Sequence, residues 1–228
     1  MPDSIAANLQ RVLERIERAA RRAGRDPREV SLVAVAKTKP AHFVTEAIAA
    51  GATIIGENYV QEARGKIPVV EGRVAWHLIG HLQRNKARLA TSLFDVVQTL
   101  DNLALADALQ RLALERRSPV RALLEVNLAG EASKSGIAPD ALAPFLAALA
   151  PFDHVHVEGL MAIPPASSDD PRPHFRRLYR LRDELAREVP PNAVLQELSM
   201  GMTDDFEIAI EEGATIVRVG RAIFGARE

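Results

Sequence analysis

The chain changes its hydrophobic spacing once, near residue 30. Before that point Ile5, Leu9, Val12, Leu13 and Ile16 recur at helical intervals with arginines and glutamates between them, which predicts an amphipathic opening helix. After it, short unbroken apolar runs take turns with amphipathic stretches. The runs predict strands at 31–37, 53–58, 75–80, 95–99, 120–128, 155–162, 194–199 and 215–220. Helices are expected at 40–50, 59–66, 83–92, 101–117, 138–150, 171–188 and 203–212. An apolar run without polar alternation is what a strand covered on both faces requires.

Strands separated by helices predict a parallel sheet with crossover connections, and eight of them is the number that closes a (β/α)8 TIM barrel. An open doubly wound sheet is the alternative, weakened because no Gly-x-Gly-x-x-Gly follows the first strand. "AIAAGATIIG" (47–56) and "AIEEGATIVR" (209–218) both run from a helix end through Gly-Ala-Thr into a strand. Gly51 and Gly213 suit the left-handed residue that stops a helix, so the echo reads as a well-made helix-to-strand joint. No linker interrupts the pattern, and residues 1–228 are expected to form a single domain. The proline-rich "IPPASSDDPRP" (163–173) is expected to be a strand-to-helix loop.

Composition narrows the chemistry. Aromatic residues make up only 4% of a chain that is 47% hydrophobic, so Ala, Leu, Val and Ile must build the core. The absence of cysteine removes disulfides, thiolate nucleophiles and cysteine-based zinc sites together. Neither a signal-peptide pattern nor an apolar run of membrane-spanning length is present, so a cytoplasmic protein is expected. The net charge of −1 argues against a nucleic-acid binder, and the clusters "RRAGR" and "RRLYRLR" read as solvated helix faces. Of 29 basic residues only five are lysines: Lys37, Lys39, Lys66, Lys86 and Lys134. In a chain that otherwise uses arginine, a lysine marks a place where a proton can be given up.

Barrels carry their chemistry at the C-terminal strand ends. Read in order, those ends deliver Lys37, Asn58, His77 with His81, Gln98, Asn127, Met161, Ser199 and Arg218. Lys37 closes the apolar run "LVAVA". A free lysine is neutral in only about one molecule in 2,500 at pH 7, and partial burial raises that fraction, making the amine a nucleophile toward aldehydes. The competing reading is a structural lysine paired with a carboxylate, such as Glu57 on the next strand. The last two strands run into "ELSMGMTDD" and "VRVGRAIFG", where barrels often hold phosphate. There Ser199 offers a hydroxyl, Gly201 lets backbone come close, and Gly220 with Arg221 opens the last helical segment. Arg218 faces the same side as Gly220, where it would disfavour protonation of a pyridine nitrogen. His77 and His81 stand four apart but straddle a strand end, and no carboxylate in the sequence pattern completes a metal set.

Seven ordered blocks, "VAVAKTKP", "GENYVQE", "WHLIGHLQRNK", "VNLAGEASKSG", "GLMAIPP", "LSMGMTDDFEIAI" and "VRVGRAIFG", make the chain resemble the pyridoxal phosphate homeostasis proteins (the YggS/PROSC family) over essentially its whole length. The resemblance implies a barrel of the alanine racemase N-terminal domain type, here with an extra N-terminal helix. It implies pyridoxal 5′-phosphate held as a Schiff base on Lys37, with phosphate at Ser199 and the backbone of Gly220 and Arg221. Arg218 would approach the pyridine nitrogen, while Asn58 and Met161 line the ring pocket. Lys39, Lys86 and Lys134 would handle incoming or outgoing cofactor. Arg221 stands where many relatives have Thr or Ser, and Thr203 where Ser is frequent.

A two-base racemase needs a second acid/base group on the far face of the cofactor. With eight residues after Gly220, no further domain is expected to supply one. The two tyrosines, Tyr59 and Tyr179, fall on barrel helices. A carrier that buffers pyridoxal phosphate and delivers it to apo-enzymes is therefore expected, as a monomer. The alternatives are a small racemase-like enzyme using the cofactor and, behind it, a Schiff-base aldolase without one.

Overall fold

A computed structural model describes residues 4–128, 130, 135–165 and 170–226. Eight parallel strands close into a barrel in chain order: β1 (Ser31–Val35), β2 (Ile54–Glu57), β3 (Ala75–Leu78), β4 (Val96–Leu100), β5 (Val120–Val126), β6 (Val155–Ala162), β7 (Ala193–Ser199) and β8 (Ile216–Val219). The ring shuts where β1 pairs with β8, Val33 standing opposite Arg218. Helices α2 (Ala41–Ala49), α3 (Val60–Lys66), α4 (Ala87–Leu93), α5 (Leu103–Arg116), α6 (Leu142–Ala148), α7 (Arg172–Leu185) and α8 (Phe206–Glu211) return the chain outside the barrel. A one-turn α9 (Arg221–Phe224) follows β8, as the sequence led us to expect. No helix among the described residues is long and apolar enough to cross a membrane.

The opening helix α1 (Ile5–Arg22) is capped by Ser4, whose hydroxyl accepts the Ala7 N–H at 3.2 Å. Ile5, Leu9, Val12, Ile16, Ala19 and Ala20 are buried along one stripe. Leu13, read as part of that stripe, sits on its flank and is 38% exposed. Four large apolar side chains at roughly 1.5–3 kcal/mol each make α1 an integral part of the fold. It lies over α8 and α9, where Asn8 donates to the Ile223 carbonyl at 3.0 Å. The Arg15 guanidinium stacks 4.5 Å from the Phe206 ring centre and pairs with Glu207.

Gly51 and Gly213 both take the left-handed region, with φ of 105° and 99°, ending the helices that precede β2 and β8. The expected helices at 83–92 and 138–150 each begin instead with a short 3-10 turn, Arg84–Lys86 and Pro139–Ala141. Most of the core lies between strands and helices. A smaller cluster of Val33, Val35, Ile79, Leu123, Met161 and Ile216 fills the barrel axis.

Candidate functional site

Val35 and Ile79 from the axial cluster form the apolar base of a cavity of about 490 Å³ at the C-terminal end of the barrel. Its wall carries Lys37, Lys39, Asn58, Arg218 and Arg221 with Thr203 and Gly220. Four cations thus face one carboxylate, Asp204, and that one is already paired with Arg221. The cavity has the size and the mixed lining of a small-molecule site, with a strong preference for an anion.

Lys37 lies two residues beyond β1 and is half-buried. The strand stops early because Thr38 adopts a left-handed conformation, φ 63°, which turns the chain off the barrel and across the cavity. Glu57 is fully buried, and its partner is Lys66 at 2.5 Å rather than Lys37. The carboxylate considered as a partner for Lys37 is thus committed to Lys66. Burial pushes the Glu57 carboxyl up to about 7, with Lys66 opposing the shift. Asn58, next on the chain, lines the cavity with a buried Oδ1 that lacks a hydrogen-bond partner.

Four residues placed at the rim by sequence lie deeper, inside the barrel. Arg218 Nη1 donates to Ser199 Oγ at 2.6 Å, Ser199 Oγ donates to Gln98 Oε1 at 2.6 Å, and Gln98 Nε2 lies 2.9 Å from His77 Nδ1. All four are buried. The Ser199 proton fixes the direction of the chain: Gln98 turns its oxygen to Ser199 and donates its amide N–H to His77. Burial, with Arg121 nearby, pulls the His77 pKa down to about 4, so the ring is neutral and its proton sits on Nε2. Arg218 also donates to the Ala162 carbonyl at 2.9 Å. Desolvation lowers its pKa to about 10, which leaves it charged at neutral pH.

Five of the eight residues singled out for the site, Lys37, Asn58, Arg218, Gly220 and Arg221, line the cavity. Met161 is one layer below, packed in the axial cluster with Val35 and Ile79. Ser199 stands behind Arg218, and its one proton is spent on Gln98, so it has no donor left for a phosphate. Gly201 also acts from behind the wall. Its carbonyl accepts the Arg218 N–H at 3.0 Å, and with φ 90° a Cβ there would fall 2.5 Å from that of Ala209. Thr203, in the same "SMGMTDD" block, does line the cavity and carries a hydroxyl. Lys39 lines the cavity and donates to the Ala226 carbonyl at 2.6 Å. Lys86 belongs to the turn before α4, away from the wall, and Lys134 lies outside the described residues.

Across the barrel mouth the histidine reading needs correction. His81 does meet carboxylates: one ligand atom each from His81, Asp101 and Glu125 lie within 4.8 Å of one another. Asp101 follows β4 and Glu125 sits within β5, so the pairing of β3, β4 and β5 as neighbours brings them to His81. Burial first, and then repulsion from Asp101, pushes Glu125 up to about 7. His77 takes no part, being committed to Gln98.

A sequence model of the family described as alanine racemase, N-terminal domain, matches residues 7–228. A Pseudomonas aeruginosa protein named pyridoxal phosphate homeostasis protein is 46% identical over 231 residues, covering 99% of this chain and 96% of its own. An Escherichia coli protein of the same name is 41% identical, with 99% and 98% covered. Among solved structures, PipY of Synechococcus elongatus with PLP bound superposes at a TM-score of 0.81 with 37% identity, covering 92% of this chain and 100% of that one. An alanine racemase of Streptomyces lavendulae shares the fold alone, at 18% identity and a TM-score of 0.70. The match covers 98% of this chain and 57% of that one.

Proposed function

Because this chain belongs to the pyridoxal phosphate homeostasis protein family, built on the alanine racemase N-terminal domain, we propose that it binds pyridoxal 5′-phosphate at Lys37 and hands it on intact. One observation carries the reading. A half-buried lysine, Lys37, lines a cavity of about 490 Å³ whose other charged groups suit an anion. The residues present fit the cofactor: the orphaned Oδ1 of Asn58 calls for a donor on a ligand. Gly220 lets backbone approach closely, since a Cβ there would come within 3.1 Å of the Val35 carbonyl oxygen.

Bound here, the cofactor supplies a reactive aldehyde. The Lys37 amine would take it as a Schiff base, releasing water. Thr203, the backbone of Gly220 and Arg221, and the Arg221 guanidinium would hold the phosphate. Arg218, kept cationic and pinned by Ser199 and Ala162, would face the pyridine nitrogen and leave it unprotonated. Val35 and Ile79, backed by Met161, would support the ring.

Holding suits this lining better than turnover. The one acidic side chain on the wall, Asp204, is tied to Arg221. Tyr59 is 60% exposed, Tyr179 packs beside Gly213, and neither lines the cavity. The protein would act in the cytoplasm as a monomer that buffers the cofactor and passes it to pyridoxal-phosphate-dependent apo-enzymes.

The test is a visible spectrum of the purified protein before and after borohydride, followed by peptide mapping. A yellow band removed by borohydride, with a pyridoxyl mass on Lys37, is expected. Colourless protein that takes up no added pyridoxal phosphate would overturn the reading. Steady loss of α-deuterium from a labelled amino acid would replace the carrier with an enzyme.

A further inference from the structure

Immediately outside the cavity wall, the buried cation of α3 makes contacts that the cofactor site does not explain. Lys66 is 6% exposed, and its three N–H donors are all spent: on Glu57 at 2.5 Å, Glu62 at 2.7 Å and the Ala36 carbonyl at 2.8 Å. Glu62 Oε1 also accepts the Thr38 N–H at 2.7 Å. Ala36 and Thr38 are the two neighbours of Lys37.

We infer that Lys66 and Glu62 are positioning residues for Lys37, clamping the peptide on each side of it so that the amine points into the cavity. This rests on the reading of Lys37 as the cofactor's lysine. The Ala36 carbonyl is held twice, by Lys66 Nζ and by the Lys39 N–H at 3.1 Å. Thr38 is β-branched and left-handed, a conformation that persists only where the surroundings impose it. The Glu62 carboxylate is the side chain that does so. Glu57, fully buried on β2, anchors the ammonium to the barrel itself. A buried ion pair is weak evidence for stability, because desolvation offsets most of the attraction, whereas its geometry is specific. A group that must meet an aldehyde carbon gains from such fixing, since a misplacement of about 1 Å can cost on the order of a hundredfold in rate.

The test separates binding from bond formation. Pyridoxine 5′-phosphate carries the ring and phosphate but no aldehyde, so its affinity reports the cavity without the amine. Lys66→Met and Glu62→Ala are compared with the natural protein in three measurements. These are pyridoxine 5′-phosphate affinity, the rate of visible-band formation with pyridoxal 5′-phosphate, and amide exchange at Thr38 without ligand. We expect pyridoxine 5′-phosphate affinity within threefold, band formation slowed at least tenfold, and Thr38 exchange accelerated in both variants.

Unchanged rates in both variants would overturn the clamp, as would equal losses for the two ligands. Glu62→Ala leaves the Lys66–Glu57 pair intact and carries the test if Lys66→Met does not fold. Normal pyridoxine 5′-phosphate binding without borohydride-trapped adduct in the natural protein would defeat the Lys37 reading as well. A trapped Lys37 adduct with unaffected variants defeats the clamp alone.

Discussion

Ser199→Ala removes one oxygen and leaves the surrounding packing nearly unchanged, so its cost reads directly on the buried chain from Arg218 to His77. Two groups lose a partner at once: Gln98 Oε1, at a fully buried residue, and Arg218 Nη1, at a residue 4% exposed. A buried polar group left unsatisfied costs about 1–3 kcal/mol, and more where a charge is involved. The sum is roughly 3–5 kcal/mol, which at about 2–4 °C per kcal/mol lowers Tm by some 6–20 °C for a domain of this size. Urea unfolding measures it, with the slope checked for two-state behaviour. Gln98→Leu breaks the same Ser199 bond from the other end. The double variant should therefore fall short of the sum of the singles by about 1–2 kcal/mol. Pyridoxal phosphate affinity should stay within about threefold, because Arg218 keeps its second anchor on the Ala162 carbonyl and the serine proton points at Gln98 and not into the cavity. A stability change below about 0.5 kcal/mol, or strict additivity, would refute the chain. A tenfold loss of affinity at unchanged stability would instead put Ser199 on the phosphate.

Three other outcomes follow from the same geometry. Glu125 has its folded pKa raised to about 7, so above that pH its charge costs stability that the protonated form at low pH does not. Glu125→Gln should thus stabilise the protein at pH 8 by up to about 2 kcal/mol, the gain fading as pH falls toward 4.5. A pH-independent difference in urea unfolding would contradict this. His77, held near 4 by burial, should show no imidazole titration by NMR between pH 8 and 5.5, whereas a midpoint near 6.5 would place it in solvent. Asn58→Ala should weaken pyridoxal phosphate roughly tenfold, about 1.4 kcal/mol, without lowering the Tm of the ligand-free protein, since its Oδ1 has no protein partner to lose. Equal affinities in a visible titration would remove Asn58 from the site.

What the sequence made legible are residues that break their own local pattern. Lys37 and Arg218 stand out because each closes or interrupts an apolar run, and both line the cavity. Strand positions follow for the same reason, since runs of Val, Ile and Leu between amphipathic helices leave few other solutions. The end of β1 was less legible. Ala36 is buried and keeps the run apolar, but the ladder stops at Val35 because of a backbone turn at Thr38 that no side-chain pattern announces. Depth was also hidden. Strand alternation says which face a side chain takes, but the level of Ser199, Gln98 and His77 inside the barrel depends on the stagger between strands.

Partners were the least legible of all, and Lys66 shows why. It reads as an ordinary basic residue in the last turn of a helix, where a cation is expected on dipole grounds alone. Its three acceptors come from β2, from its own helix and from the chain beyond β1. No spacing rule links positions 36, 57, 62 and 66 except the last pair, four apart on one helix face. The composition did hold a trace of it. In a chain with 29 basic residues, keeping a lysine at 66 suits a site that asks for three donors converging from one point, which a planar guanidinium cannot supply. The same scarcity that drew attention to Lys37 therefore also marked the residue that fixes its backbone, once the pairing of β1 with β2 had brought them together.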